Sequence, residues 1–187
     1  MEQKTPNRAS MIVAGVGGKG ALTLGQVLAE VGLNKYGHAS YFPYYLGFQR
    51  GFPCHATVVL STDKVVSTVL YRTDAVIVLE AMQVPGFVDR VKPGGLFVIE
   101  QVGLAEPVTR DDIQVVEVPG VEIASQLGSV LAANYVLFGA YVASSKVLPV
   151  EAFAQEIEAR YASKPKVGKS NRAAFEKGAE LFSKMGA

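Results

Sequence analysis

Sulfur and imidazole are scarce in this chain: its 187 residues include one cysteine, Cys54, and two histidines, with no tryptophan. A single thiol excludes an internal disulfide framework, and so few histidines and cysteines leave few members for a transition-metal site or a catalytic triad. Charge is sparse too. Lys and Arg number 18 against 17 Asp and Glu, a formal net charge of +1, so no strong field exists to attract nucleic acid. No apolar run approaches the ~20 residues of a membrane span. The polar opening Met1–Ser10 lacks the apolar centre of a secretory signal, which makes a cytoplasmic location the expectation.

Apolar residues are abundant, at 49% of the chain with a mean hydropathy of +0.23. The length suits one domain with a full core, and the expected division is a flexible leader over residues 1–10 and a folded domain over 11–187. With no membrane to enter, the apolar excess is expected to be covered by another subunit.

The most informative segment is Met11–Gly25, MIVAGVGGKGALTLG. Met11–Ala14 suit a buried parallel strand, and Gly15, Gly17, Gly18 and Gly20 suit a turn that passes close to something. Leu22, Val27, Leu28 and Val31 then recur at helical spacing. The glycines therefore lie between a strand's carboxyl end and a helix's amino end. Unpaired N–H groups and the positive end of the helix dipole would face a crevice there and favour a phosphate or carboxylate, with Lys19 adding a cation. Gly15, Gly17 and Gly20 satisfy the spacing G-x-G-x-x-G, but dinucleotide binding also needs a carboxylate at the end of the second strand, and Gly37–Tyr45 contains none. The bland alternative is that the glycines only let helix and strand pack closely.

Further strands are expected at His55–Ser61, Ala75–Leu79, Leu96–Ile99 and Ile113–Val118, and helices at Pro85–Val91, Val121–Gln126, Ser129–Lys146, Val150–Ala162 and Gly168–Lys184. The pattern predicts an α/β fold: a single domain with a mainly parallel sheet covered by helices on both faces, and a helix-rich C-terminal half. His38 is expected in a loop.

A second segment with chemical content is Gly47–His55, GFQRGFPCH. Arg50 could clamp a phosphate or carboxylate bidentately, and Gly51 would let the backbone approach it. A tight turn with a solvated Arg50 is the alternative. Cys54 reads as a buried small hydrophobe, and His55 as a packed histidine opening a strand.

Together these segments resemble the gamma-type subunit or domain of 2-oxoacid:ferredoxin oxidoreductases, the group acting on pyruvate, 2-oxoglutarate, 2-oxoisovalerate and indolepyruvate. Gly15-Val16-Gly17-Gly18-Lys19-Gly20 resembles that family's G-x-G-G-Q-G, and Arg50-Gly51-Phe52 its R-G-G loop. Asp74–Leu79, Val91–Gly95, Asn134–Ala140 and the closing Asn171, Ala174, Phe175 and Gly178 follow in the family's order, so that the likeness runs from Met11 to Gly178. Lys19 stands where the family has Gln, and Phe52 where it has a second Gly.

The resemblance implies a non-catalytic subunit of an enzyme that decarboxylates a 2-oxoacid on thiamine diphosphate, passes electrons through iron–sulfur clusters to ferredoxin and transfers the acyl group to coenzyme A. Thiamine diphosphate, Mg and the clusters would belong to partner chains: thiamine-binding alpha and beta subunits and a ferredoxin-like subunit. Cys54 alone could not supply a cluster's thiolates. This chain would contribute subunit contacts and a coenzyme A site at Gly15, Gly17, Gly18, Lys19, Gly20, Arg50 and Gly51. A stand-alone nucleotide-binding oxidoreductase and a purely structural subunit are the competing classes.

Overall fold

A computed structural model of the chain describes residues 6–45, 51–65 and 67–185. Strand β1, Arg8–Val16, is the centre of the molecule, with Ile12, Val13 and Ala14 all 0% exposed. A run of β-branched and small apolar residues buried on both faces is what a central strand requires, and each fully buried Val or Ile is worth roughly 1.5–3 kcal/mol. The strand begins earlier than the sequence pattern suggests. Arg8, Ala9 and Ser10 pair with Ser61, Leu60 and Val59, so the end of the polar leader belongs to the sheet.

Helix α1, Ala21–Tyr36, follows β1 and ends at Gly37. Strand β2 is His38–Tyr45, β3 Pro53–Ser61, β4 Thr73–Val78, β5 Val91–Glu100 and β6 Gln114–Val118. They form one sheet in the order β2-β3-β1-β4-β5-β6, in which β3 alone runs against the rest. The mainly parallel sheet expected from the sequence is thus present. His38 is not in a loop; it opens β2, the edge strand.

The helix-rich C-terminal half is also present, as α3 (Gly120–Gln126), α4 (Ala133–Ser145), α5 (Val150–Arg160) and α6 (Pro165–Met185). These helices and α1 lie on one face of the sheet and share a core with Met11, Val13, Val58, Ile77 and Val98. Phe138, Phe153 and Phe175 meet there with ring centroids 5.1–6.1 Å apart. Helices α4 and α6 touch backbone to backbone. A Cβ on Gly139 would run into the carbonyl oxygen of Phe175, and one on Gly178 into that of Val136.

The opposite face is covered as well, more thinly. Ile12, Ala14, Val76, Val78, Phe97 and Ile99 are covered there by the single-turn helix α2, Val84–Phe87, its flanking 3₁₀ turns, and apolar residues of the connection after β5. The expected helix Pro85–Val91 is therefore shorter, because Val91 already pairs with Thr73 as the first residue of β5.

Candidate functional site

The chain leaves β1 towards β2 on one side and later returns to β4 on the other, so the carboxyl ends of β1 and β4 bound the crevice where progression across the sheet reverses. In open α/β sheets such a crevice is where ligands bind. The glycine turn Gly17–Gly20 lies at this place. Gly20 closes it in the left-handed region, at φ +87°, and no side chain among the described residues caps α1, whose first turn carries no acidic residue. The first-turn N–H groups of a 16-residue helix are thus left to whatever enters the crevice.

The two glycine-containing segments meet. Gly17 N–H donates to the carbonyl of Phe52 at 2.9 Å, and Gly51 N–H donates to the carbonyl of Gly17 at 3.1 Å. This extends the antiparallel pairing of β1 and β3 beyond Val16 and Pro53 into the turn itself. Arg50, the expected anion clamp, lies outside the described residues. Its neighbour Gly51 places the chain immediately beside Gly17.

Three side chains that sequence spacing did not single out as site residues converge on the same turn. Gln83, in the 3₁₀ turn after β4, donates through Nε2 to the carbonyl of Gly15 at 3.0 Å and fixes the start of the turn. Its Oε1 is buried with no hydrogen-bond partner among the described residues. Glu80, just beyond β4, lies 3.2 Å from Nζ of Lys19. Lys19 is therefore an ion-paired residue rather than a free cation. Asn134, in the first turn of α4, lies over Gly20, where a Cβ would collide with its Nδ2. Its Oδ1 accepts the N–H of Tyr135 at 3.0 Å, which turns the amide nitrogen towards the glycine turn. A cavity of about 50 Å³ lies among Gly18, Lys19, Glu80, Leu131 and Asn134. Water occupies about 30 Å³ in the liquid, so a cavity this size has room for one small group, while anything larger must lie along the open rim.

The next strand end is closed by the protein itself. Glu100, 2% exposed, accepts the N–H of Val102 at 3.0 Å through one oxygen and that of Val121 at 3.1 Å through the other. Burial pushes its carboxyl above the ordinary value against the pull of these N–H groups, and the nearby Glu80 charge acts in the same direction as burial.

Cys54 and His55 behave as packing residues. Cys54 is 6% exposed opposite Gly15, and burial raises its thiol. His55 stacks on Tyr44 at 4.8 Å and meets the edge of Phe87 at 5.5 Å; burial, then the Arg90 charge, lower its imidazole. An imidazole packed between two rings, its basicity lowered by burial, serves as a wall.

An open sheet with a glycine turn at the switch between its strands, feeding a helix, defines an open, mainly parallel class of α/β domain. Within that class the chain belongs to the pyruvate ferredoxin/flavodoxin oxidoreductase family, whose pattern matches residues 10–181. It is 31% identical over 169 residues to the ketoisovalerate oxidoreductase subunit VorA of Methanothermobacter thermautotrophicus, covering 90% of this chain and 35% of that one. The chain thus spans about a third of the length of that relative. Its fold is that of the keto/oxoacid ferredoxin oxidoreductase gamma subunit from Geobacter sulfurreducens, with a TM-score of 0.78, 22% identity and coverage of 94% of this chain and 99% of that one. It is equally that of part of the 2-oxoglutarate:ferredoxin oxidoreductase from Magnetococcus marinus with 2-oxoglutarate, coenzyme A and succinyl-CoA bound. That match has a TM-score of 0.81 and 20% identity, over 96% of this chain and 32% of that chain.

Proposed function

We propose that this chain is the gamma-type component of a 2-oxoacid:ferredoxin oxidoreductase and that its glycine-turn crevice docks coenzyme A. The observation that carries the reading is the joining of Gly17 to Gly51 and Phe52, which brings the sequence next to Arg50 to the open amino end of α1. N–H donors at a helix's amino end suit a phosphate, and in this proposal Arg50 adds its guanidinium to them. Asn134 supplies a further donor from α4, while Glu80 neutralises Lys19. The likeness to a gamma subunit along nearly its whole length, and to part of an enzyme that holds coenzyme A, supports the same reading.

In this proposal the chain is not the catalyst. Oxidative decarboxylation runs on thiamine diphosphate and Mg held by alpha and beta partners, and electrons leave through a ferredoxin-like subunit to ferredoxin. A chain with one cysteine cannot hold a four-thiolate cluster. No described helix is long and apolar enough to cross a membrane, and the proposed setting is the cytoplasm.

The test is coenzyme A titration of the reconstituted complex. A hydrogen bond to a charged group is worth about 1.5–3 kcal/mol, so Arg50→Ala should raise the apparent constant roughly tenfold or more. Lys19→Gln should change it little. Decarboxylation measured without coenzyme A should survive both changes, and an unaltered constant for Arg50→Ala would refute the docking role.

A further inference from the structure

The sheet face that the long helices leave uncovered carries a strip made of two groups, one of rings and one of a ring with two guanidinium groups. Tyr44 on the edge strand stacks on His55 at 4.8 Å, and His55 meets Phe87 of α2 at 5.5 Å. Three residues beyond Phe87, the guanidinium of Arg90 lies 5.4 Å from the ring of Tyr71, and that of Arg72 lies 6.0 Å from the same ring. Tyr71 is 71% exposed and Tyr44 45% exposed, so the strip is surface rather than core.

The guanidinium groups on this strip are held by backbone carbonyls rather than by a direct ion pair, with the Asp112 carboxylate near enough to feel the Arg72 charge. Arg90 donates from Nε to the carbonyl of Tyr71 and from Nη2 to that of Leu70, the latter at 3.0 Å. Arg72 donates from Nε to the backbone carbonyl of Asp89 at 3.0 Å. Arg110, Arg160 and Arg172 each pair with a carboxylate, whereas Arg72 and Arg90 have none within ion-pair distance among the described residues. Backbone carbonyls fix each guanidinium at one edge and leave further N–H groups without a carboxylate partner among the described residues. Such preorganisation removes part of the entropy cost of binding a carboxylate bidentately.

We propose that this strip is a docking surface for an acidic protein partner, whose carboxylates pair with Arg72 and Arg90 while its apolar groups pack on Tyr71 and Tyr44. Tyrosine and arginine are the residues that dominate binding at protein interfaces. A nucleic acid is the poorer match, because the chain as a whole carries a net charge of only +1. A second copy of the chain would have to supply the carboxylates from an equally balanced surface. The inference rests on the proposed role as a subunit, and it places the charged half of the partner's contact, Arg72 and Arg90, at the amino ends of β4 and β5, away from the glycine turn at the carboxyl end of β1, while Tyr44, paired with His55 opposite Ala14, lies at the turn's end of the sheet.

The experiment is reconstitution of the complex from purified subunits, with the assembly constant measured at low and high salt and self-association followed by sedimentation. R72E/R90E is expected to weaken assembly at least tenfold and to flatten its salt dependence. R72Q/R90Q, which keeps donors for the backbone carbonyls, should lose the same salt dependence with an unchanged unfolding midpoint. Unaltered assembly of both variants beside a wild type that assembles would overturn the inference alone. A homodimer lost in the variants with assembly unaltered would overturn it in favour of a second copy. Failure of the wild type to join thiamine-binding subunits would overturn the subunit role and this inference together.

Discussion

Asn134 occupies the space into which a side chain on Gly20 would project, so the glycine turn and helix α4 are matched to each other across more than a hundred residues of sequence. Two requirements meet at Gly20, a positive φ of 87° and the absence of a Cβ. At Gly18 only the first applies, since φ is 94° but nothing lies within 4 Å of a Cβ. Gly18→Ala should cost about 1–2 kcal/mol of backbone strain. Gly20→Ala should cost clearly more in denaturant unfolding, and in an Asn134→Ala background the excess should largely disappear. Equal costs at the two glycines would show that Asn134 does not constrain the turn.

The amide nitrogen of Asn134 also predicts an effect on ligand. Asn134→Asp replaces a donor with a carboxylate beside the amino end of α1, without changing the size of the side chain. Coenzyme A affinity of the assembled enzyme should fall tenfold or more, given about 1.5–3 kcal/mol for a hydrogen bond to a charged group. The assembly constant should stay as it is. Titration of the variant complex checks both.

Gly139 and Gly178 set the contact between α4 and α6, each lying against a backbone carbonyl of the other helix. A carbonyl in a helix cannot move aside as a side-chain tip can. Gly139→Ala or Gly178→Ala should therefore destabilise by about 3 kcal/mol or more, beyond the usual 1–3 kcal/mol of overpacking, although alanine is the better helix former. Chemical denaturation of the two single variants tests this, and a stabilising outcome for either would contradict the close crossing.

Asp74 predicts a pH dependence of stability. Burial pushes its carboxyl up, but the ammonium of Lys92 at 2.6 Å and the hydroxyl of Ser10 at 2.6 Å, with the Ser10 N–H at 2.8 Å, outweigh burial and hold it below the ordinary value. The unfolded chain then takes up this proton first as pH falls. The Asp74 contribution is whole above the ordinary carboxylate range and is lost as pH drops through the lowered folded value. Glu100, whose carboxyl is raised, acts with the opposite sign. The difference between wild type and Asp74→Asn isolates the first effect. Urea midpoints from about pH 7 to about pH 3 should converge at the acid end, and parallel curves would contradict the assignment.

How much of this was legible in the sequence depended on how local the signal was. Met11–Ala14, Ala75–Val78 and Leu96–Ile99 are short apolar runs beside turn residues, and all three lie in strands at the centre of the sheet. His38–Tyr45 escaped recognition because HASYFPYY alternates nothing: aromatic rings lie on both sides of an edge strand, and Pro43 is the kind of residue edges tolerate. Helix α6 starts at Pro165, ahead of the expected Gly168, since proline suits a helix's first turn. The glycine turn was visible as spacing. Its surroundings were not, because Glu80, Gln83 and Asn134 reach it from three separate connections brought together only by the strand order. The pairing of Lys19 with Glu80 in particular has no signature in sequence distance.

Glu100 gives the molecule a built-in occupant at one of its two strand-end helices. Its carboxylate, carried by β5 and spent on the N–H groups after β5 and at the start of α3, does for α3 what a bound anion does for a phosphate-binding helix. The same chain thus contains a finished version and an open version of one device at one end of the sheet, on strands β5 and β1 with β4 between them. Visitors to the crevice meet only the open one, at α1, and the fold enforces that choice of address before any ligand arrives.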